Sequence, residues 1–227
     1  MNLLGLDTAT AATAACLLRS DGEAFEVVPE PAALFHRPAH ARELMPALAR
    51  VVDEAGLTFA ELGAVAVGRG PGKFTGLRIG VATARAIAVA RSLPVHGVSS
   101  LAALASGAKA PWTLAVIDAR RGEVFAALYE GDEERWPPFV ARPEQLAERM
   151  RAQPETLVAV GDGAVRFRTE LEAAGARVRA GDDPRHVVRA LHVCRLGRKL
   201  PPAAPEAILP DYLRTPDAVP TSPTPSP

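Results

Sequence analysis

The chain has 227 residues, of which 48% are hydrophobic and 23% are charged, a composition that predicts a globular protein with a sizeable core and argues against intrinsic disorder. The 26 basic and 26 acidic residues cancel, so no overall charge draws the chain to nucleic acid or to an acidic membrane. No apolar run approaches the roughly 20 residues of a membrane span. Cys16 and Cys194 lie in apolar runs, which favours buried thiols over a bridge. We therefore expect a cytoplasmic protein.

The first fifty-five residues predict a three-stranded meander followed by a helix. An apolar run at residues 3–6 ends at Asp7, and further strands are expected at residues 13–18 and 24–28. Apolar residues then recur at helical spacing between a proline and a glycine, which predicts a helix over residues 39–55.

The least ordinary stretch is a glycine-dense turn between a predicted strand at residues 64–67 and a predicted helix at residues 76–92. Four glycines fall within nine residues, 68–76, where uncovered amides beside a helix N-terminus would favour an anion. The spacing matches neither the P-loop nor the dinucleotide-binding fingerprint. A ligand loop and a packing turn both stay open. The candidate anion or nucleotide loop comprises Asp7, Gly70, Gly72, Lys73 and Thr75.

The helix after this turn carries small residues at four-residue intervals, from Gly76 to Ala88. Such a surface allows close approach, either of the protein's own sheet or of a partner's helix. Both interpretations stay open, and we take the second as the functional hypothesis, together with the apolar face of the preceding helix. The candidate partner interface comprises Leu44, Leu48, Arg78, Gly80, Ala84 and Ala88.

The second half of the chain repeats the first in outline. A strand at residues 112–117 ends at Asp118, and a return strand follows at residues 124–129. A later strand, glycine loop and helix at residues 157–174 echo the first glycine turn. This pattern predicts an internal duplication and an actin-like architecture, in which Asp7 and Asp118 would face one another across a cleft.

The duplication divides the chain into two domains and a tail. We expect an N-terminal domain with partner-binding helices over residues 1–108 and a smaller C-terminal domain over residues 109–214. A closing helix at residues 184–198 could pack back on the first domain. Residues 215–227 are rich in proline, serine and threonine, which predicts a disordered tail.

Two features of the sequence bear on whether the chain is an enzyme: a pair of histidines and the hairpin turn after Asp7. His36 and His40 stand four residues apart, the spacing at which one helix can offer two metal ligands, but Pro38 between them disfavours that turn. The hairpin turn after Asp7 has no glycine to cradle a phosphate, which argues against strong ATP hydrolysis. The alternatives are therefore a metal-dependent, glycoprotease-like hydrolase or a weak ATPase of the actin-like superfamily.

Several strings of this sequence closely resemble the TsaB (YeaZ) family, bacterial subunits required for threonylcarbamoyladenosine formation in tRNA. The glycine-turn string is specific within its superfamily, although the catalytic paralogue TsaD shares a related version. The strings are Leu4-Gly5-Leu6-Asp7-Thr8-Ala9, His40-Ala41-Arg42-Glu43-Leu44-Met45-Pro46, Gly70-Pro71-Gly72-Lys73-Phe74-Thr75-Gly76-Leu77-Arg78-Ile79-Gly80, Val98-Ser99-Ser100-Leu101 and Pro210-Asp211-Tyr212-Leu213-Arg214.

The resemblance implies an α/β, duplicated actin-like (ASKHA, ribonuclease H-like) fold of two half-domains, each with a mixed sheet and helices. It implies a non-catalytic subunit that binds TsaD, joined by the ATPase TsaE, for threonylcarbamoyl transfer to N6 of adenosine 37 in tRNAs reading codons that begin with A. Without TsaD, such a subunit would form a homodimer, and tRNA would be reached through the complex. No catalytic residue, metal ligand or cofactor is expected, and any ATP or ADP binding would be weak. Lys73 departs from the family, which more often has serine there.

Overall fold

The computed structural model describes residues 1–153 and 155–214, and its first sheet is built around the strand that ends at Asp7. The strands of this sheet are β1 (Leu3–Asp7), β2 (Ala14–Leu18), β3 (Ala24–Val27), β4 (Ala64–Gly70) and β5 (Val95–Ser99). They lie in the order β3-β2-β1-β4-β5. The hairpin-connected strands β1, β2 and β3 are antiparallel, whereas β4 and β5 run parallel to β1.

The second sheet repeats this arrangement strand for strand. Its strands are β6 (Trp112–Arg120), β7 (Glu123–Glu130), β8 (Glu133–Ala141), β9 (Val158–Val160) and β10 (Arg177–Val178). The order is β10-β9-β6-β7-β8, with β6, β7 and β8 antiparallel and β9 and β10 parallel to β6. Since β6 holds the place of β1 and β9 that of β4, the predicted duplication is confirmed.

In the described part of the chain, seven α-helices accompany the two sheets. They are α1 (His40–Glu54), α2 (Phe74–Arg91), α3 (Ser100–Ala108), α4 (Pro143–Arg151), α5 (Asp162–Arg166), α6 (Arg168–Ala173) and α7 (Ala190–Gly197). Helices α1 and α2 share a core with the side of the first sheet that faces away from the second sheet. Helices α3 and α7 lie between the sheets, in a core that draws residues from both halves. Helices α4 and α6 pack on the far side of the second sheet.

The close packing between the sheets depends on a missing side chain in β1. A Cβ atom at Gly5 would lie 2.3 Å from the Sγ atom of Cys194 on α7. Cys194 and Cys16 are both buried and unbridged, as predicted. Glycine at this position lets α7 rest directly on the strand that carries Asp7.

The predicted bounds of the first helix are confirmed. Helix α1 begins and ends within one residue of its predicted bounds. Ser99 caps α3, because its Oγ accepts a hydrogen bond from the Ala102 N–H at 3.3 Å. Two predicted helices were wrong in extent. The stretch at residues 164–174 breaks at Phe167 into α5 and α6, and that at residues 184–198 is a 3-10 turn followed by α7.

The strand β8 and the helix α4 were not predicted. The sequence of β8 contains two prolines and three charged residues, a composition that is tolerated because β8 lies at the edge of its sheet. The predicted disorder of residues 215–227 lies outside the described residues. Within the described ranges, no helix combines the length and the apolar character needed to cross a membrane.

Candidate functional site

The carboxylate at the end of β1 is buried and held by two donors. Ser100 Oγ donates to Asp7 Oδ2 at 2.6 Å, and the Ala9 N–H donates to Oδ1 at 2.8 Å. A Cβ atom at Gly68 would lie 1.8 Å from Oδ2, so glycine in β4 makes room for the carboxylate. Burial raises the pKa of Asp7 to about 6, although both hydrogen bonds act against it.

The corresponding position in the second half carries a carboxylate with different partners. Arg166 donates to Asp118 Oδ2 at 2.9 Å, and the Arg120 N–H donates to Oδ1 at 2.9 Å. The Asp118 N–H in turn donates to Asp162 Oδ1 at 3.0 Å. Burial raises the pKa of Asp162 to about 6, while this hydrogen bond and the charge of Lys73 act against the rise.

Lys73 brings a positive charge from the first half toward these acids. Its Nζ atom is buried and has no hydrogen-bond partner among residues 1–153 and 155–214. Burial lowers the pKa of Lys73, and the charges of Asp162 and Asp118 oppose that change. The two halves therefore interact electrostatically through this lysine, which the sequence analysis placed in the candidate anion loop without predicting its contact with the second half.

The glycine turn packs closely on the hairpin after β1. The Gly70 N–H donates to Ser100 Oγ at 3.2 Å, and the Lys73 N–H donates to the Ala9 carbonyl at 2.8 Å. A Cβ atom at Gly72 would lie 2.4 Å from that same carbonyl. These two amides are engaged within the protein, which favours the packing interpretation of the turn. Thr75 is exposed on the first turn of α2, and anion binding by this set stays a prediction.

The predicted partner interface needs a correction. Most of its members are buried in the protein's own core, because the small-residue stripe of α2 faces the first sheet and the hairpin turn rather than solvent. A Cβ atom at Gly80 would lie 2.3 Å from Thr8 Oγ1. Arg78 alone of the six is exposed. The buried members are Leu44, Leu48, Gly80, Ala84 and Ala88.

The surface that α1 and α2 do present carries a second set of small and apolar residues. We call this set the outer face and define it as Met45, Phe74, Ala82, Ala86 and Val89, all of them exposed. Val89 is 67% exposed, and it adds apolar area to this surface. Sequence periodicity could not separate the outer face from the buried stripe, since α2 has alanine on both sides.

The outer face is bounded by an aromatic cluster that joins α2 to the end of the described chain. Tyr212 lies with its ring centroid 5.1 Å from that of Phe74. The Arg78 guanidinium lies 3.9 Å from the Phe74 ring centroid and donates to the Tyr212 hydroxyl at 3.0 Å. The only sequence signal for this contact was the family-like string around Tyr212.

The two histidines weighed as metal ligands are not brought together. His36 is exposed, whereas His40 is buried. The His40 Nε2 atom lies 3.2 Å from the Thr10 carbonyl, and Nδ1 lies 2.8 Å from Thr13 Oγ1. Because a carbonyl can only accept, Nε2 carries the proton. The Thr13 hydroxyl lies 2.8 Å from both Nδ1 and Glu43 Oε2, so Nδ1 shares this hydroxyl with the glutamate. Burial also lowers the pKa of His40. Both ring nitrogens are thus engaged within the protein.

Comparisons with known proteins agree on one family. A family model described as TsaD, tRNA N6-adenosine threonylcarbamoyltransferase, matches residues 25–162. The tRNA threonylcarbamoyladenosine biosynthesis protein TsaB of Escherichia coli is 37% identical over 175 residues, which are 72% of this chain and 72% of that protein. TsaB of Bacillus subtilis is 27% identical over 225 residues, 96% of each chain.

The structural comparison gives the same result over nearly the whole length. YeaZ from Pseudomonas aeruginosa superposes with a TM-score of 0.76 and 30% sequence identity, covering 93% of this chain and 100% of that chain. The fold is the duplicated, actin-like ASKHA fold of two half-domains. The chain belongs to the TsaB (YeaZ) family of tRNA threonylcarbamoyladenosine biosynthesis proteins.

Proposed function

We propose that this chain is a non-catalytic subunit that binds a TsaD-type protein through the outer face of α1 and α2. In this role it supports threonylcarbamoyl transfer to N6 of adenosine 37 in tRNAs reading codons that begin with A. TsaE joins the complex, and tRNA is contacted through the complex. In the absence of TsaD, the same face pairs two copies of this chain. We expect the protein to act in the cytoplasm.

The observation that carries the proposal is the composition of the outer face. Phe74 and Met45 supply exposed apolar area, at 41% and 49% exposure. Ala82 and Ala86 are exposed and small, so a partner's helix can approach the backbone of α2 closely. Arg78 and Tyr212 border this surface, and aromatic and arginine side chains are enriched where binding energy concentrates.

A non-catalytic role is supported by the way the polar groups between the halves are used. Asp7 is bound by Ser100 and Ala9, and Asp118 is bound by Arg166. His40 in the first half has both ring nitrogens within hydrogen-bond distance of protein groups. A general base must reach a substrate proton, and each of these groups already contacts a neighbour in the protein.

The test combines reconstitution with a targeted variant. TsaD and TsaE from the same organism are incubated with unmodified tRNA, ATP, threonine, bicarbonate and the enzyme that makes the threonylcarbamoyl donor. Modified nucleoside is then quantified by mass spectrometry with and without this chain. We expect modification to depend on this chain and to fall at least about tenfold with Ala86→Arg, because the long side chain blocks close approach.

A matched control separates the interface from a general effect of added arginine. Ala173 is exposed on α6 in the second half, so Ala173→Arg makes the same chemical change away from the outer face. Modification with Ala173→Arg should equal that of the unmutated chain. Equal activity of both variants would refute docking at the outer face, and modification without this chain would refute the subunit role. Turnover by this chain alone would refute the non-catalytic assignment.

A further inference from the structure

A groove opens where α1 and α2 begin, at the end of these helices nearest the glycine turn. It is lined by residues 37–42, by residues 73–76 and by Ile79, and its volume is about 750 Å³. The groove is continuous with the outer face through Phe74, which belongs to both. A partner lying on the outer face therefore has this groove within its reach.

The charged side chains that line the groove are all positive. They are Arg37, Arg42 and Lys73, and no aspartate or glutamate lines it. Arg37 and Arg42 are exposed and form no ion pair or hydrogen bond within the described part of the chain. The Lys73 Nζ atom is buried, and its charge acts on Asp162 and Asp118 of the second half. The groove is thus a concentration of positive charge in a protein whose overall charge is zero.

The backbone adds to this charge, since both helices point their N-termini at the groove. The residues before α1 and α2, Ala39 and Lys73, provide no side-chain cap for the first-turn amides. Uncapped N–H groups and the helix dipole both favour a negative group there. Capping by acidic or hydroxyl side chains is the usual solution within a chain. Glu43 in the first turn of α1 accepts a hydrogen bond from Thr13 Oγ1 instead, and the first turn of α2 contains no acidic residue.

The surroundings of the groove favour a protein over a nucleic acid. Phe74 and Ile79 give it apolar walls, and the adjoining outer face consists of small and apolar side chains bordered by Arg78. A phosphate backbone is bound by longer basic surfaces whose cations follow the strand. Two exposed arginines beside an apolar face instead match a short acidic segment next to a protein interface.

We propose that this groove binds an acidic segment of the protein partner, with its carboxylates placed on the N-termini of α1 and α2 and between Arg37 and Arg42. The inference rests on the proposed function for the identity of the partner. The groove supplies orientation, because it fixes which end of the partner lies at the glycine turn. It also makes association faster and dependent on salt.

The experiment compares two double charge reversals in the full-length protein. Arg37→Glu with Arg42→Glu reverses the groove, whereas Arg151→Glu with Arg195→Glu makes the same change in net charge at exposed sites on α4 and α7. Binding to purified TsaD from the same organism is measured by calorimetry at low and high salt. We expect the groove variant to bind about tenfold or more weakly at low salt, with a smaller difference at high salt, and the control to bind like the unmutated protein.

The remaining outcomes separate this inference from the proposed function. Equal binding by both variants would overturn the groove while leaving the docking face intact. If the unmutated chain does not bind TsaD, the proposed function fails, and the groove is then tested by fluorescence anisotropy with labelled hexaglutamate. Binding of hexaglutamate that is lost only in the groove variant supports an acidic ligand for the groove. No binding of hexaglutamate to the unmutated chain overturns it. Binding of unmodified tRNA or inorganic phosphate that is lost in the groove variant, without loss of TsaD binding, would also overturn it.

Discussion

Asp7 is a carboxylate in a place where its charge is unfavourable. It is 1% exposed, and burial raises its pKa to about 6 from the usual 3.8. Between about pH 4 and pH 6 the folded protein holds a proton that the unfolded chain has released. The free energy of unfolding therefore falls as the pH rises through this window. At neutral pH, where Asp7 is ionised, the free energy of unfolding is lower by on the order of 2–3 kcal/mol than it would be with Asp7 protonated.

Replacing this residue by its neutral isostere should remove that pH dependence. In Asp7→Asn the amide oxygen still accepts from the Ala9 N–H, whereas the bond to Ser100 reverses, because the amide NH2 donates to the Oγ atom that donates to Asp7 in the unmutated protein. We expect the variant to be more stable than the unmutated protein at pH 7, by about 1–3 kcal/mol, and to lose this advantage below about pH 4. Urea unfolding at both pH values measures it. Because Asp162 titrates in the same window, only the difference between the two proteins isolates Asp7, and an equal difference at both pH values would contradict the assignment.

At the scale of an element, α2 is held by contacts that its glycines make possible. Thr8 Oγ1 donates to the Gly76 carbonyl at 2.8 Å, which ties the hairpin turn to the helix. A Cβ atom at Gly76 would lie 2.1 Å from the Thr8 carbonyl, and one at Gly80 would lie 2.3 Å from the Thr8 hydroxyl. Bulky replacements on this side consequently disturb the fold before they disturb any partner.

Stability measurements on α2 should distinguish its two sides. Gly80→Ala should lower the free energy of unfolding by about 1–3 kcal/mol, because Thr8 must move. Gly76→Ala should lower it further, since its new methyl group meets backbone. Ala86→Ser on the outer face should change it by less than about 0.5 kcal/mol. Urea denaturation of the three variants decides the matter, and a neutral Gly76→Ala would mean that α2 does not rest on the hairpin turn as described.

For the molecule as a whole, the repeated pattern of strand, aspartate and return strand could be predicted from the sequence, because short apolar runs and turn residues are local signals. The orientation of α2 against the sheet could not be predicted. Its alanines occupy both faces, so hydrophobic periodicity could not say which one meets the sheet, and the buried stripe was taken for the interface. The contact of Arg78 with Tyr212 spans 134 residues of chain, a separation over which no local pattern carries information.

The relation between the two halves is testable through Lys73. This lysine extends from the first half, and its charge lowers the pKa of Asp162 in the second, against the larger effect of burial. Lys73→Met keeps a similar length without the charge, so we expect the pKa of Asp162 to rise further, as followed by carbon-13 NMR of the aspartate carboxyl groups. Lys199→Met is the control, because Lys199 pairs with Asp132 at the surface, 2.7 Å away, and should leave Asp162 unchanged. An unchanged Asp162 titration in Lys73→Met would mean that the halves stand further apart in solution than the structure places them. A rise of this pKa would show that one lysine links the glycine turn of the first half to the acids of the second.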